Sequence, residues 1–301
     1  KIFCYVGSLS CMGLYWFNLD NIYLGLFFYF LALISFWASL VFYNSYLPDI
    51  AHKNQQDFIS AKGYALGYFG SVLLLIFDLA MVMFPENFGI TGDNPELVAM
   101  RYSFISVGIW WITFSQYTFY HLPDQNEKKK IIKDVVWNGF KELIEVWNEL
   151  KKILIIKKYL IAFFIYSSAL QTVLLIAAYF GEQEVNWPKD EKTIGLIVSI
   201  LLIQLIAMFG AILTSKLSEK YGNIFTLIIL NVIWAILCIG GYFITEPIEF
   251  YVAAAFVGLI MGGIQALSRS TFSKMIPKTD NTTSYFSFYD VSQKVSIVFG
   301  M

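Results

Sequence analysis

The sequence predicts an all-α membrane protein, a polytopic helical bundle, and three observations carry that prediction. Apolar residues fill 57% of the 301 positions and charged residues only 14%, where about 25% charged is usual in soluble chains. So few polar groups cannot coat a soluble globule of this size, and the solvent must be largely lipid. The apolar residues gather into nine runs: 2–15, 22–43, 64–84, 102–120, 159–180, 193–214, 224–244, 250–268 and 285–301. Most approach the ~20 residues that cross a bilayer as a helix. The runs are continuous rather than alternating, which argues against a closed β-barrel. Short polar breaks separate them, such as Asn18-Leu19-Asp20-Asn21 and Thr245-Glu246-Pro247.

Composition also narrows function. The net charge is −1, which excludes a nucleic-acid binder, and disorder, collagen and a disulfide scaffold are excluded with it. Cys4, Cys11 and Cys238 lie in apolar stretches without metal-ligand spacing and read as small core residues. No metal or cofactor is expected. The chain begins at Lys1 and stops at Met301 inside an apolar run, so it reads as a fragment with membrane segments missing on both sides.

Orientation follows from the basic residues in the breaks. Taken alternately, one set of breaks holds sixteen of the 21 Lys and Arg, and the other holds Arg101, Lys189 and Lys192. The first set is therefore expected on the cytoplasmic side. The sequon Asn281-Thr282-Thr283 falls on that side and should stay bare.

One break is long. Residues 121–158 carry 15 of the 43 charges, with Ile132, Val136, Phe140, Leu143, Trp147 and Leu150 recurring every three or four positions. That pattern predicts an amphipathic helix along the membrane face or against the helix ends, tethering two bundles. The expected organisation is an incomplete N-terminal transmembrane half (1–123), a cytoplasmic tether (124–158) and an incomplete C-terminal half (159–301).

An internal echo supports two halves. Tyr46-Leu47-Pro48 precedes a span opened by Ser60, and Met275-Ile276-Pro277 precedes one opened by Ser284. Corresponding spans six apart describe two six-helix halves, of which about nine of twelve helices are present. The break Ser215-Lys216-Leu217-Ser218-Glu219-Lys220-Tyr221-Gly222-Asn223 resembles the Gly-x-Leu-x-Asp-Arg-x-Gly-Arg loop of the major facilitator superfamily, though only its acid-base-x-Gly centre survives. Phe42 to Ala51, Ile59 to Tyr68, Arg101 to Pro123, Met261 to Ser270 and Tyr285 to Val291 resemble the vacuolar-effluxer (autophagy-related) family of that superfamily and its bacterial relatives. The resemblance implies a major facilitator-type bundle of two pseudo-symmetric halves. It also implies a secondary transporter moving a small solute by alternating access, with amino-acid efflux as the suggested activity.

Candidate residues follow from that frame. The resemblance implies a midplane site lined by spans 22–43, 159–180 and 250–268, where Gln171 and Gln265 could hydrogen-bond a solute. Their alternative role is helix–helix adhesion. Asp78 is a carboxylate inside a span with no cation nearby in its helix. It is a candidate for proton coupling, or faces water at the outer mouth. Asp290 and Lys294, four apart, share a helix face and either gate the inner mouth or neutralise each other. Glu219 is expected near the start of the helix at Ser60 to Gly63, where the helix dipole favours a carboxylate. Gly63-x-x-x-Gly67 and Gly258-x-x-x-Gly262 suggest close helix approach.

Two other classes compete. His52 and Asp57 fit the His-x4-Asp spacing of glycerolipid acyltransferases, with His as base oriented by Asp, and a non-transporting scaffold could share the fold. The absence of a Gly-rich phosphate loop argues against direct ATP use. The expected partners are the lipid bilayer, a small solute and protons for coupling, without nucleic acid, for a monomer in a bacterial cytoplasmic membrane rather than a vacuolar one.

Overall fold

The computed structural model describes residues 1–18, 21–122, 135–188, 191–277, 279 and 281–300. These fold into eleven α-helices and no strand: α1 (Ile2–Gly13), α2 (Ile22–Ser45), α3 (Leu47–Ile50), α4 (Gln56–Met83), α5 (Pro95–His121), α6 (Val135–Lys152), α7 (Leu154–Gln183), α8 (Lys192–Tyr221), α9 (Asn223–Gly240), α10 (Pro247–Met275) and α11 (Thr282–Gly300). Seven helical segments among the described residues are long and apolar enough to cross a membrane. The chain is a multi-pass integral membrane protein with an all-α fold.

Among the described residues each of the nine apolar runs coincides with a helix, and most helices outrun them. α4 begins eight residues before its run, at Gln56, and α8 and α10 each continue seven beyond theirs, to Tyr221 and Met275. Hydropathy marks the thickness of lipid, whereas a helix ends only where its backbone bonds or dihedrals fail. At Thr245-Glu246-Pro247 that failure is explicit. Pro247 opens α10, and Glu249 accepts the backbone N–H groups of Thr245 and Glu246 at 2.9 and 3.1 Å, closing a capping box. Between α8 and α9 the turn depends on Gly222, at φ +85°, a conformation that a Cβ would strain.

The chain forms two compact units, Lys1–Tyr43 with Leu73–Val135, and Asn44–Val72 with Val136–Met301, divided at the end of α2 and inside α4. In the first unit α1 packs on α5. Trp111 meets Phe36 edge-on at 5.9 Å, and Tyr5 donates to Gln116 Oε1 at 3.0 Å.

In the second unit α10 is the central helix: 56% of its apolar window is buried, against at most 22% in any other span. Its contact with α8 is the most extensive in the unit. Gly258 and Gly262 lie against the carbonyl oxygens of Ile203 and Ala207, and Gly210 answers from α8 against that of Leu259. A Cβ at any of these three would overlap backbone. Apolar burial drives little association in lipid, so this intimacy and its dispersion contacts hold the pair. Gly67 does not share the role. It is exposed, with open space where a Cβ would stand, and α4 makes its close approach through Ala61, which clusters with Ala211 and Ala266.

The amphipathic helix is present as α6, whereas Ile132, the side chain of Val136 and Lys128, Lys129, Lys130 and Lys133 lie outside the described residues. Its buried contacts are Val146 and Leu150, which join a core with Ile156, Tyr159, Phe163, Phe272 and Tyr285. Trp147 stacks on Phe288 at 5.6 Å. Glu142 and Glu149 hold α11 through Ser284 and Tyr285, the latter at 2.6 Å.

Candidate functional site

The most concentrated polar chemistry lies at the lysine-rich end of the second unit. α4 carries Asp57, Ser60, Tyr64, Tyr68 and Ser71 at intervals of three or four, so they share one helix face over ~21 Å. The chain reaches this face through a tight connection. α3, with Pro48 in its first turn, ends where Ala51 becomes extended, and Gln55 N–H closes a turn on His52 O at 2.8 Å. Asp57 then falls in the first turn of α4, where the helix dipole favours its charge.

At the foot of the face, Asp57 is buried and saturated. It accepts Lys274 Nζ at 2.5 Å, Asn223 Nδ2 at 2.7 Å and Ser218 Oγ at 3.3 Å. Asn223 spends all of its amide there, donating also to Thr271 Oγ1 at 3.0 Å and accepting from Lys274 at 3.2 Å.

One turn further in stands Arg269, 3% exposed. Its Nε donates to Ser60 Oγ at 2.9 Å, Nη2 to Ser60 O at 3.0 Å and Nη1 to Asn44 Oδ1 at 3.3 Å. The guanidinium carbon lies 4.6 Å from the centre of the Tyr64 ring, within cation–π range. Asn44 Nδ2 continues to Asp290, at 3.1 and 3.3 Å from its two oxygens, and Asp290 is 4% exposed. Ser60 Oγ also donates to Ala266 O at 2.7 Å. Deeper still, Tyr68 donates to Gln265 Oε1 at 2.8 Å, and Ser71 is hydrogen-bonded to Gln204.

Buried charges cost several kcal/mol each unless paired and hydrogen-bonded, so a network of this kind holds when assembled and is unfavourable when half-assembled. It joins α2 and α4, before the connector, to α10 and α11, after it. Such an arrangement can act as a lock.

The sequence-derived candidates distribute unevenly. Gln265 and Asp290 belong to the network, and Lys294, half-buried, acts electrostatically on Asp290. Gln171 is half-buried on α7 and makes no hydrogen bond to a described residue. Asp78 lies in the first unit, where Ser106 donates to it at 2.5 Å. Glu219 is exposed, and the carboxylate at the start of α4 is Asp57, from α4 itself. The acyltransferase pair is not formed. His52 is exposed while Asp57 turns to Lys274, Asn223 and Ser218, so the His-x4-Asp spacing is a coincidence of the turn before α4.

The sequence pattern alone does not mark Asn44, Ser60, Arg269 or Lys274 as site residues. The two cations read simply as flanking charge on the basic side. The available signal is the polar stripe along α4, legible as a 3–4 spacing that starts at Asp57 before the apolar run and continues into it at Tyr64, Tyr68 and Ser71.

Curated relatives share sequence with this chain over most of its length. The chain is 28% identical over 278 residues to "Uncharacterized MFS-type transporter YxiO" of Bacillus subtilis, covering 91% of this chain and 62% of the relative. It is 25% identical over 264 residues to "Autophagy-related protein 22" of Kluyveromyces lactis, covering 80% and 50%. To the protein of the same name from Yarrowia lipolytica it is 25% identical over 286 residues, covering 84% and 46%. The chain thus spans about half to three-fifths of the length of these relatives. No solved structure matches it. The family described as "Vacuole effluxer Atg22 like" matches residues 1–301, and the chain belongs to that family.

Proposed function

We propose that the chain belongs to a secondary transporter that moves a small solute by alternating access, with the Arg269–Asn44–Asp290 and Asp57–Lys274 network as its cytoplasmic lock. The observation that carries this reading is the set of buried charged and amide side chains linking helices from either side of the connector, in a family whose curated members include an MFS-type transporter by name. When the lock is assembled the cytoplasmic path is shut. Water entering the network hydrates its charges and stabilises the open state, so modest differential binding of solute can shift the balance.

In this reading the two halves are 1–123 and 159–301, tethered by 124–158. Gln171 and Gln265 contact the solute, and Tyr68 pre-orients Gln265. Asp290 and Lys294 belong to the gate, Glu219 enters it in the open state, and Asp78 is the candidate for proton coupling. Efflux of an amino acid across a bacterial cytoplasmic membrane by a monomer is the specific form proposed, without cofactor or catalysis. The test is transport by the full-length protein in sealed vesicles, screening amino acids with and without a proton gradient. Saturable movement of at least one amino acid that Arg269→Gln abolishes is expected. Transport unaffected by Arg269→Gln overturns the lock.

A further inference from the structure

A recess of about 510 Å³ lies at the lysine-rich end of the second unit, within the ~300–1,000 Å³ range of small-ligand sites. One wall is the connection from α3 into α4, with Asp49, His52, Lys53 and Gln56. The other is the end of α10 and the start of α11, with Ser273 and Thr282. Two polar atoms of these walls are unpaired. Gln56 is 2% exposed and Ser273 3% exposed, and neither Gln56 Oε1 nor Ser273 Oγ has a hydrogen-bond partner among the described residues. The Gln56 amide is the right way round, because Nε2 donates to Ala51 O at 3.3 Å and a flip would set two oxygens together. An unpaired buried polar group is unfavourable. Two of the four such side-chain atoms among the described residues belong to side chains lining this one recess, which marks it as a place where a ligand supplies the missing bonds.

The chemistry of the walls selects the ligand. Gln56 Oε1 can only accept, so it turns away a bare carboxylate or phosphate oxygen. Both unpaired atoms are neutral, and an ammonium set against them would give up its water without a counter-charge. Two neutral oxygens are also too few for a hard cation, which takes about six. Hydroxyl groups meet both demands, donating to Gln56 Oε1 and accepting from Ser273 Oγ. The rim continues this mixed character. Asp49 and Lys53 are exposed there with opposite charges, and Thr282 adds a half-buried hydroxyl. Lys53 spends one of its three donors on Lys274 O, at 3.1 Å.

We propose that this recess binds a neutral polyhydroxylated molecule, a monosaccharide or cyclic polyol, whose hydroxyl groups bond Gln56 Oε1 and Ser273 Oγ. A ligand lacking them leaves both buried atoms unpaired, which is the source of the selectivity. Gln56 adjoins Asp57 and Ser273 adjoins Lys274, so the ligand ties together the same two helices as that ion pair, one residue away. The site does not depend on the transport reading.

The test uses the full-length protein in nanodiscs, its native cysteines replaced, with His52→Cys at the exposed rim as reporter. Millimolar glucose or myo-inositol should slow the reaction of that cysteine with a thiol reagent, and the effect should saturate. Ser273→Ala and Gln56→Met should each weaken the protection about tenfold. Ser273→Ala should leave the melting temperature of the unliganded protein unchanged or raised, because it removes an unpaired hydroxyl rather than a bond. Absence of saturable protection overturns the proposal. Protection that both variants retain in full overturns it as well, since polyols excluded from the whole surface would act on every variant alike. A melting temperature lowered by Ser273→Ala would show the hydroxyl already paired, against the proposal. Stronger protection by glycine or inorganic phosphate than by either polyol overturns it in favour of a charged ligand.

Discussion

Lys274 reaches back 217 positions to Asp57, Nζ to Oδ2 at 2.5 Å, and the pair sits where the solvated end of α10 meets the first turn of α4. The carboxylate is buried while the ammonium is about a quarter exposed. The aspartate therefore depends on its partner more than the lysine does.

Asp57→Asn removes the charge that Lys274, Asn223 and Ser218 share. Breaking a buried pair costs ~3–5 kcal/mol, and the partial exposure of Lys274 reduces this to ~1–3 kcal/mol. A cysteine placed at Ser273, which is buried, should then react faster with a cytoplasmic thiol reagent, by roughly 5- to 150-fold. The exchange Asp57→Lys with Lys274→Asp should recover part of the protection. Glu219→Gln, altering an exposed side chain, should move labelling less than Asp57→Asn, and equal effects would contradict the arrangement described.

Asn44 is a bridge, since its amide accepts from Arg269 through Oδ1 and donates to Asp290 through Nδ2 at once. Asn44→Asp would set two carboxylates together, and Asn44→Ala would leave both charges short of a partner, at ~1–3 kcal/mol. Thermal unfolding in detergent should rank wild type above Asn44→Ala above Asn44→Asp.

Arg269→Lys keeps the charge but loses the fork. An ammonium cannot reproduce bonds to Ser60 Oγ, Ser60 O and Asn44 in one plane while stacking on Tyr64. Transport should fall nearly as far as in Arg269→Gln. Retention of most activity would show that charge alone suffices.

The glycines of α10 give a packing test with an internal control. Gly258→Val and Gly262→Val each force a side chain onto a backbone carbonyl of α8 and should lower the melting temperature sharply or prevent folding. Gly67→Ala meets open space and should be neutral or stabilising, as removing a helical glycine usually is, by up to ~1 kcal/mol.

Val146→Asp places a carboxylate in the core that α6 shares with Tyr159 and Phe272. Hydrogen exchange should accelerate throughout 135–152 while α8 stays protected. Tyr285→Phe, which loses only the bond to Glu149, should show a smaller change in the same direction.

The sequence by itself determined the solvent, the helices and the family resemblance. Each follows from quantities summed along the chain: apolar content over a span, lysines over a loop, the 3–4 spacing that placed Leu150 on the buried side of α6. It also foresaw Gly258 and Gly262, because helix spacing is local. What only the tertiary structure decided was partnership. Asp57 has a histidine five positions away and a lysine 217 positions away, and nothing in one dimension ranks the second above the first. Gly67 has the same motif spacing as Gly262 and faces open space. In lipid, where apolar faces gain little by meeting, buried polar groups and close backbone contacts settle which helices touch. Those contacts depend on which segments folding brings together, and proximity along the chain does not reveal them.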